Sequence, residues 1–397
     1  MKKLFACVLV LLVLAGVACA WLPSEWVWFT WPFAYSSGEA GWYYMNQGDT
    51  MYCLRLDTGH WLVLGALDCG LSNGWVYYAW PYGYSWEDQA WYYLNETDEQ
   101  WCIGFASGVW GRFGQSVAPE DMVLVPADSF QMGDSFGEGS PTELPVHTVY
   151  VSAFYVDRYE VTSAKWDEIA GWADDHGYDI SPGVGSSKPT HHKSWYECVK
   201  WCNARSEKEG RVPACYTDAA KTPAYVYRTG DVAIQNDWVR WETGYRLPTE
   251  AEWEKAGRGG ASGRRFPWGD TIQHARANYY SSSSYSYDTS PTRGRHPVYG
   301  LGGFPLTSPV GSFASNVYGL YDMAGNVQEW CWDWFERGYY GTSPGTDPRG
   351  PVSGSKRVHR GGSWNSNADY CRVADRTCTY PDDRFNTIGF RAVLPAP

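Results

Sequence analysis

The sequence predicts an α+β domain rich in loops over residues 119–397, preceded over residues 21–118 by a small all-β module rich in aromatic residues. Three observations carry that division. Between Trp21 and Ala118 the chain holds 12 of its 24 tryptophans, no lysine, and only Arg55 and Arg112 against ten acidic residues. That stretch is also a repeat: "WVWFTWPFAYSSGEAGWYYMNQGDTMYC" (Trp26 to Cys53) aligns without a gap to "WVYYAWPYGYSWEDQAWYYLNETDEQWC" (Trp75 to Cys102), pairing Trp31 with Trp80 and Trp42 with Trp91. After the connector "GRFGQSVAPED" (Gly111 to Asp121) the composition becomes ordinary, and helical patterns appear between long loops.

The chain opens on two lysines, an apolar run and Ala18-Cys19-Ala20, the pattern of a cleaved signal peptide over residues 1–20. The run is shorter than the ~20 apolar residues that span a bilayer. A lipoprotein reading through Cys19 is the weaker one, because Gly16 stands where a lipid-attachment box usually has Leu. The expected location is therefore secreted, periplasmic or cell-surface, with no transmembrane helix after signal removal. In the module, with repeats about 26–65 and 75–114, aromatic runs bounded by Gly, Asn, Asp and Ser read as strands joined by hairpin turns. Its aromatics are read as the core of a sheet or, alternatively, as an exposed binding platform.

Three helices come next. Thr162 caps "SAKWDEIAGWA", Ser194 and Glu197 form a capping box before "WYECVKWCNARSEK", and Thr249 and Glu252 form another at "TEAEWEKAGRGG". The remainder is short strand, loop and Gly/Pro punctuation, and so much loop in a compact domain calls for a metal, disulfide or functional constraint. A net charge of -12 excludes nucleic acid as the main partner, since the phosphate-neutralising patch is missing. Of 11 cysteines, Cys7 and Cys19 fall in the signal; the odd remainder in an exported protein predicts disulfides with at least one cysteine left over. Cys331 with Cys371, and Cys202 with Cys215, are the candidate pairs.

From Met122 to about Val393 the chain resembles the sulfatase-modifying factor family, whose formylglycine-generating-enzyme fold is a variant of the C-type lectin fold. Ordered motifs carry the likeness: "MVLVPADSFQMG", "HTVYVSAFYVDRYEVTSAKW", "SWYECVKWCNARSEKEG", "YRLPTEAEWEKAGRGG", "FPWGD", "NVYGLYDMAGNVQEWCWDW", "RVHRGGSW" and "IGFRAV". Enzymes of this family oxidise a sulfatase cysteine with O2 and Cu(I) held by two thiolates. The equivalent positions here are Ser363, Ser366 and Cys371, so the first copper thiolate is replaced by a hydroxyl. A hard, protonated hydroxyl does not substitute for a soft thiolate on Cu(I), and copper is not expected. The sulfoxide synthases of the family need a His-rich iron site in an added helical domain, whereas the added module here has only His60.

The resemblance further implies a structural calcium held by Asp322, Gly325, Val327 and Glu329, two carboxylates with intervening carbonyls forming a hard oxygen cage. A second, weaker calcium site falls on Asn278 and Tyr279, with Asp288 as a guessed acidic partner.

A third branch of the family, the variable proteins of diversity-generating retroelements, displays randomised residues between "RGGSW" and "GFR". In the matching segment, Ser366, Asp369, Tyr370, Asp375, Thr377, Cys378, Thr379, Tyr380, Asp383, Phe385 and Thr387 are all reachable from an AAC codon by changing adenines, and no Lys, Glu, Gln, Met or Trp occurs from Asn365 to Arg391. These residues, Cys378 apart, are the expected ligand contacts, with aromatic anchors and small polar neighbours as in an antibody paratope. The resulting expectation is a ligand-binding protein without copper oxidase activity, its partner an unknown protein or glycan at a cell surface. The alternatives are an oxidase that converts a sulfatase cysteine to formylglycine and an accessory protein of a sulfatase system.

Overall fold

A computed structural model describes Pro119 and residues 121–396, and before them the backbone of ten strands between Val27 and Arg112. The expected signal peptide and most of the connector lie outside the described residues. Among the described residues no helix is long and apolar enough to cross a membrane. The chain divides into two compact units at Val117 and Ala118.

In the N-terminal unit, β1 (Val27–Thr30), β2 (Phe33–Ser36), β3 (Gly41–Met45), β4 (Tyr52–Arg55) and β5 (Trp61–Val63) form an antiparallel sheet in chain order. A second such sheet comprises β6 (Val76–Ala79), β7 (Tyr82–Ser85), β8 (Ala90–Leu94), β9 (Trp101–Gly104) and β10 (Trp110–Arg112). Register repeats with sequence: Tyr35 lies opposite Trp42, and Tyr84 opposite Trp91.

The C-terminal unit is mixed α+β. Its first strand β11 (Met122–Val125) and last strand β19 (Val393–Pro395) flank β14 (Phe154–Asp157) in one antiparallel sheet. A hairpin of β12 (Asp128–Met132) and β13 (His147–Val151) precedes β14. The third sheet has the order β17 (Thr377–Thr379), β16 (Arg357–Arg360), β15 (Gln328–Trp334), β18 (Ile388–Gly389), with β18 parallel to β15.

All three expected helices are present: α1 (Ser163–Asp174), α2 (Trp195–Lys208) and α3 (Glu250–Arg258). Each cap is the one that the local sequence specifies. Thr162 Oγ1 accepts from Lys165 N at 3.0 Å, and both capping boxes, Ser194 with Glu197 and Thr249 with Glu252, are formed. Gly259 ends α3 in the left-handed conformation. Helices α1 and α2 pack through the stacked rings of Trp166 and Trp201, with Phe390 edge-on to both.

Every residue of α3 is buried, charged ones included. Glu252 accepts from Arg246 at 2.6 and 2.7 Å, and Glu250 accepts from Arg376 Nε at 2.7 Å. Glu254 pairs with Arg258 at 2.7 Å and with Arg360, and also accepts from Gly133 N. Burial pushes the Glu254 carboxyl upward, but Arg258 and Arg360 outweigh it and hold the group below the usual carboxylate range. One buried guanidinium is held differently. Arg357 is stacked on Trp195 and Trp334, at 3.7 and 3.4 Å from the ring centres, and burial lowers its pKa to about 9.

The two expected disulfides are corrected by the structure, in which all six described cysteines are free thiols. Cys331 packs with Trp253 and Val358, whereas Cys371 packs in a different cluster with Phe266 and Tyr279. A bridge between them would require Cβ atoms ~4 Å apart. Cys202 and Cys215 share one core cluster but remain unbonded.

Removing one partner of a buried ion pair strands the other charge, at a cost of about 3–5 kcal/mol. Glu254→Gln, which leaves Arg360 and Arg258 short of a carboxylate, is therefore expected to lower unfolding stability by that amount in urea titration. An unchanged midpoint would contradict the role assigned to this residue.

Candidate functional site

Strand β16 delivers the chain into "RGGSW", and the two glycines turn it. Gly361 and Gly362 have φ of 93° and 72°, and a Cβ on Gly362 would lie 2.6 Å from Cys371 Sγ. The turn thus presses its backbone onto the thiol. Cys371 is fully buried, and burial, reinforced by Asp375 and Asp369, pushes its thiol well up, so it is protonated at neutral pH. Ser366 is committed elsewhere: its Oγ lies 3.0 Å from Ser363 Oγ and accepts from Ser363 N at 3.0 Å, closing a local turn. The two positions equivalent to the copper cysteines therefore hold a hydroxyl, Ser366, bonded to the neighbouring Ser363, and a buried neutral thiol, Cys371.

Beyond that turn, main-chain bonds run from the segment to five residues elsewhere in the domain. Tyr280 N donates to Ser366 O, Val373 N to Arg265 O, Trp195 N to Pro381 O, His192 N to Phe385 O, and Gln328 N to Thr387 O, all at 2.8–3.0 Å. Trp364 Nε1 adds a bond to Asn386 O. These carbonyl and amide contacts fix part of the path, and the buried Arg372 and Arg376 of the same segment, paired with Glu143 and Glu250, fix the rest.

The expected contact residues fall into three groups. Tyr370, Tyr380 and Phe385 are 41%, 53% and 46% exposed, facing solvent as expected. Ser366, Asp369, Thr377, Thr379, Asp383 and Thr387 are half-buried. Several of these serve the fold: Thr377 Oγ1 meets His359 Nδ1 at 2.8 Å, and Asp383 accepts from Thr379 Oγ1 and from Tyr380 N to close the turn after β17. Asp375 is a correction. It is buried, 3.9 Å from Arg372, and burial together with Glu143 pushes its carboxyl well up, so it is not a surface contact.

The calcium positions are also sorted by the structure. Asp322 is buried in a left-handed conformation; its Oδ2 accepts from Gly311 N at 2.7 Å while Oδ1 has no partner. Burial raises its pKa to about 6, and a hard cation would satisfy that orphaned oxygen. Glu329, by contrast, is fully engaged. It receives Arg391 at 2.7 Å on both oxygens and Trp253 Nε1 at 2.7 Å, so it does not stand as a free cage ligand. At the weaker site, Tyr279 O receives His274 Nε2 and Asn278 Nδ2 donates to Leu306 O. Asp288 is met by Tyr279, Ser281, Ser282, Ser290 and the Arg293 guanidinium, which supplies positive charge there. Among the described residues no three His, Cys, Asp or Glu side chains are grouped to hold a metal ion.

Sequence reasoning missed Glu160. Its buried carboxylate accepts from Asn326 Nδ2 at 2.6 Å and Val327 N at 3.1 Å, and burial, then Asp322 and Glu329, push it well up. An acid set directly before Val161 at the end of the apolar run "AFYVDRYEV" was the available signal.

Residues 109–396 match the Sulfatase-modifying factor enzyme 1-like domain. The chain belongs to the sulfatase-modifying factor family. The formylglycine-generating enzyme of Streptomyces coelicolor is 37% identical over 292 residues, covering 69% of this chain and 89% of that protein. Among solved structures, Treponema denticola variable protein 1 is similar with a TM-score of 0.53 and 32% identity over 69% of this chain and 94% of its own. CarF is similar with a TM-score of 0.51 and 26% identity, covering 71% of this chain and all of its own. Within this sulfatase-modifying factor domain the motif "RVHRGGSW" occupies β16 and its turn.

His359 couples that strand to pH. It is buried edge-on to Trp330, and burial lowers its pKa to about 3. The native state therefore binds fewer protons than the unfolded one between about 6.5 and 3, and stability present above 6.5 is lost as pH falls through that window. His359→Gln should flatten the decline: its melting temperature should drop less than wild type's between pH 7 and pH 4.5. Parallel profiles for the two proteins would rule this out.

Proposed function

We propose that this protein is a secreted or surface ligand-binding protein that uses a formylglycine-generating-enzyme-like frame to display the segment Asn365 to Thr387, without copper oxidase activity. The observation that carries the reading is the exposure of Tyr370, Tyr380 and Phe385 on a segment anchored at other positions, by main-chain bonds and by the buried Arg372 and Arg376. The exposed side chains of such a segment change at little cost to folding, which is what a diversified contact surface requires. The likeness to a Treponema variable protein supports the same reading, as does the set of residue types reachable from Asn codons. The ligand is a protein or glycan at a cell surface, engaged by rigid aromatics with adaptable hydroxyls and carboxylates around them.

The second reading, a formylglycine-generating oxidase, draws on the Streptomyces relative and on Cys371. The bonded pair Ser363 and Ser366 and the buried thiol weigh against it. Calcium, in this proposal, is held by Asp322 with the carbonyls of Gly325 and Val327, while Glu329 fixes Arg391.

The functional test uses the full chain against arrayed glycans and a library of surface-displayed peptides. Tyr370, Tyr380 and Phe385 changed together to Ala should remove binding of whatever is captured, since buried anchors each contribute about 2 kcal/mol or more. Its melting temperature should move little. The Cu(I)-loaded protein should form no aldehyde on a sulfatase-derived Cys peptide. Retained affinity in the triple variant, or turnover that disappears in Cys371→Ala, would refute the proposal.

For calcium, a hundredfold excess over Kd stabilises the native state by about 2.7 kcal/mol. Melting should rise on adding Ca2+ and Asp322→Asn should abolish the rise. Identical melting in calcium and in chelator would dismiss the site.

A further inference from the structure

The loop "SSSSYSYD" (Ser281 to Asp288) lies against the start of the segment Asn365 to Thr387. Tyr280 N, just before it, donates to Ser366 O at 2.8 Å, and the Tyr285 hydroxyl faces the Asp369 carboxylate and the Asn367 side chain. Tyr285 and Tyr287 pack on the same buried cluster as Ala368 and Cys371 of the segment. Loop and segment thus rest on one floor.

A run of four serines has no apolar side chain to fix its path, and a single buried carboxylate does so instead. Asp288 accepts from Tyr279 Oη at 2.6 Å, Ser281 Oγ at 3.0 Å and Ser282 N at 2.8 Å, while Ser281 and Gly294 exchange backbone bonds at 2.7 and 2.8 Å. The loop is therefore held before any partner arrives, and binding does not have to order it. What it leaves accessible is Tyr280, 39% exposed, with Ser283 and Ser284 exposed and Tyr285 half-buried. Tyrosine and serine on a fixed path are the composition of antibody contact loops, where the ring supplies area at low entropic cost and the hydroxyls adapt.

A second ring from outside the segment meets it at Trp364. Phe304 is 65% exposed, its ring centre 5.6 Å from that of Trp364, and Trp364 Nε1 donates to Asn386 O, next to the exposed Phe385. The loop that carries Phe304 also exposes Val298 and Leu301.

We propose that Tyr280, Tyr285 and Phe304 are a constant part of the contact surface, a shared anchor for protein partners, while the exposed positions of Asn365 to Thr387 select among them. The inference rests on the display reading of that segment. It names a protein rather than a glycan because the Phe304 loop offers bare aliphatic groups, which match the apolar centre of a protein epitope and give nothing to sugar hydroxyls.

The test is a displayed library of the full chain with Asn365, Tyr370, Tyr380, Asp382 and Phe385 randomised, selected in parallel against lysozyme, serum albumin and chitohexaose. Independent clones that bind lysozyme or albumin should each lose affinity about tenfold or more with Tyr280→Ala, Tyr285→Ala or Phe304→Ala. Tyr285→Phe, which keeps the ring, should retain most of it. Tyr280 and Phe304 are exposed, so their variants should melt as the parent clone does, and they decide the outcome if Tyr285→Ala unfolds. Protein binders unaffected by Tyr280→Ala and Phe304→Ala would overturn the constant surface and leave the display reading standing. A library that yields no binder would overturn the display reading and this inference with it. Clones recovered on chitohexaose alone would overturn the assignment to protein partners.

Discussion

Three glutamates on one short buried helix organise the C-terminal unit. Glu250, Glu252 and Glu254 of α3 each meet an arginine, and two of those partners, Arg376 and Arg360, come from the C-terminal region 126 and 106 residues away. Charges this deep are tolerated only when paired and hydrogen-bonded, so the helix and the strand carrying "RVHRGGSW" are placed relative to each other by electrostatic necessity. Hydrophobic burial alone would permit sliding. Carboxylate forks against guanidiniums do not.

With the strand so placed, its continuation is fixed by main-chain bonds together with the buried Arg372 and Arg376. The Gly361–Gly362 turn lies against Cys371, and amides and carbonyls of Tyr280, Arg265, Trp195, His192 and Gln328 hold the chain beyond it in place. A thiolate pair needs two side chains held open to substrate, whereas here Ser366 is turned inward to Ser363 and the outward positions carry aromatics.

Much of the local structure was legible in the sequence. Thr162, Ser194 and Thr249 each state where a helix begins, because a cap is settled within four residues. Exposure of Tyr370, Tyr380 and Phe385 was legible too, from a run of small polar residues around them. The long-range partners escaped. Nothing near Glu329 announces Arg391, and Asp375 reads as one more polar loop residue until Arg372 and Glu143 are brought beside it. The pairing of Cys331 with Cys371 failed for the same reason: counting thiols says nothing about which core each enters, and these two enter different ones.

The closing strand β19 pairs with β14 near the start of the unit, and Arg391 just before it seats Glu329. Both lie downstream of the segment that carries the exposed aromatics. A chain whose reading frame is lost or interrupted within that segment would therefore lack the two features that shut the domain. Its sheet edge and a buried carboxylate would be left open, marking the product for degradation. Only in-frame versions of the segment reach a closed fold, so the architecture makes completion of the domain conditional on faithful translation through it.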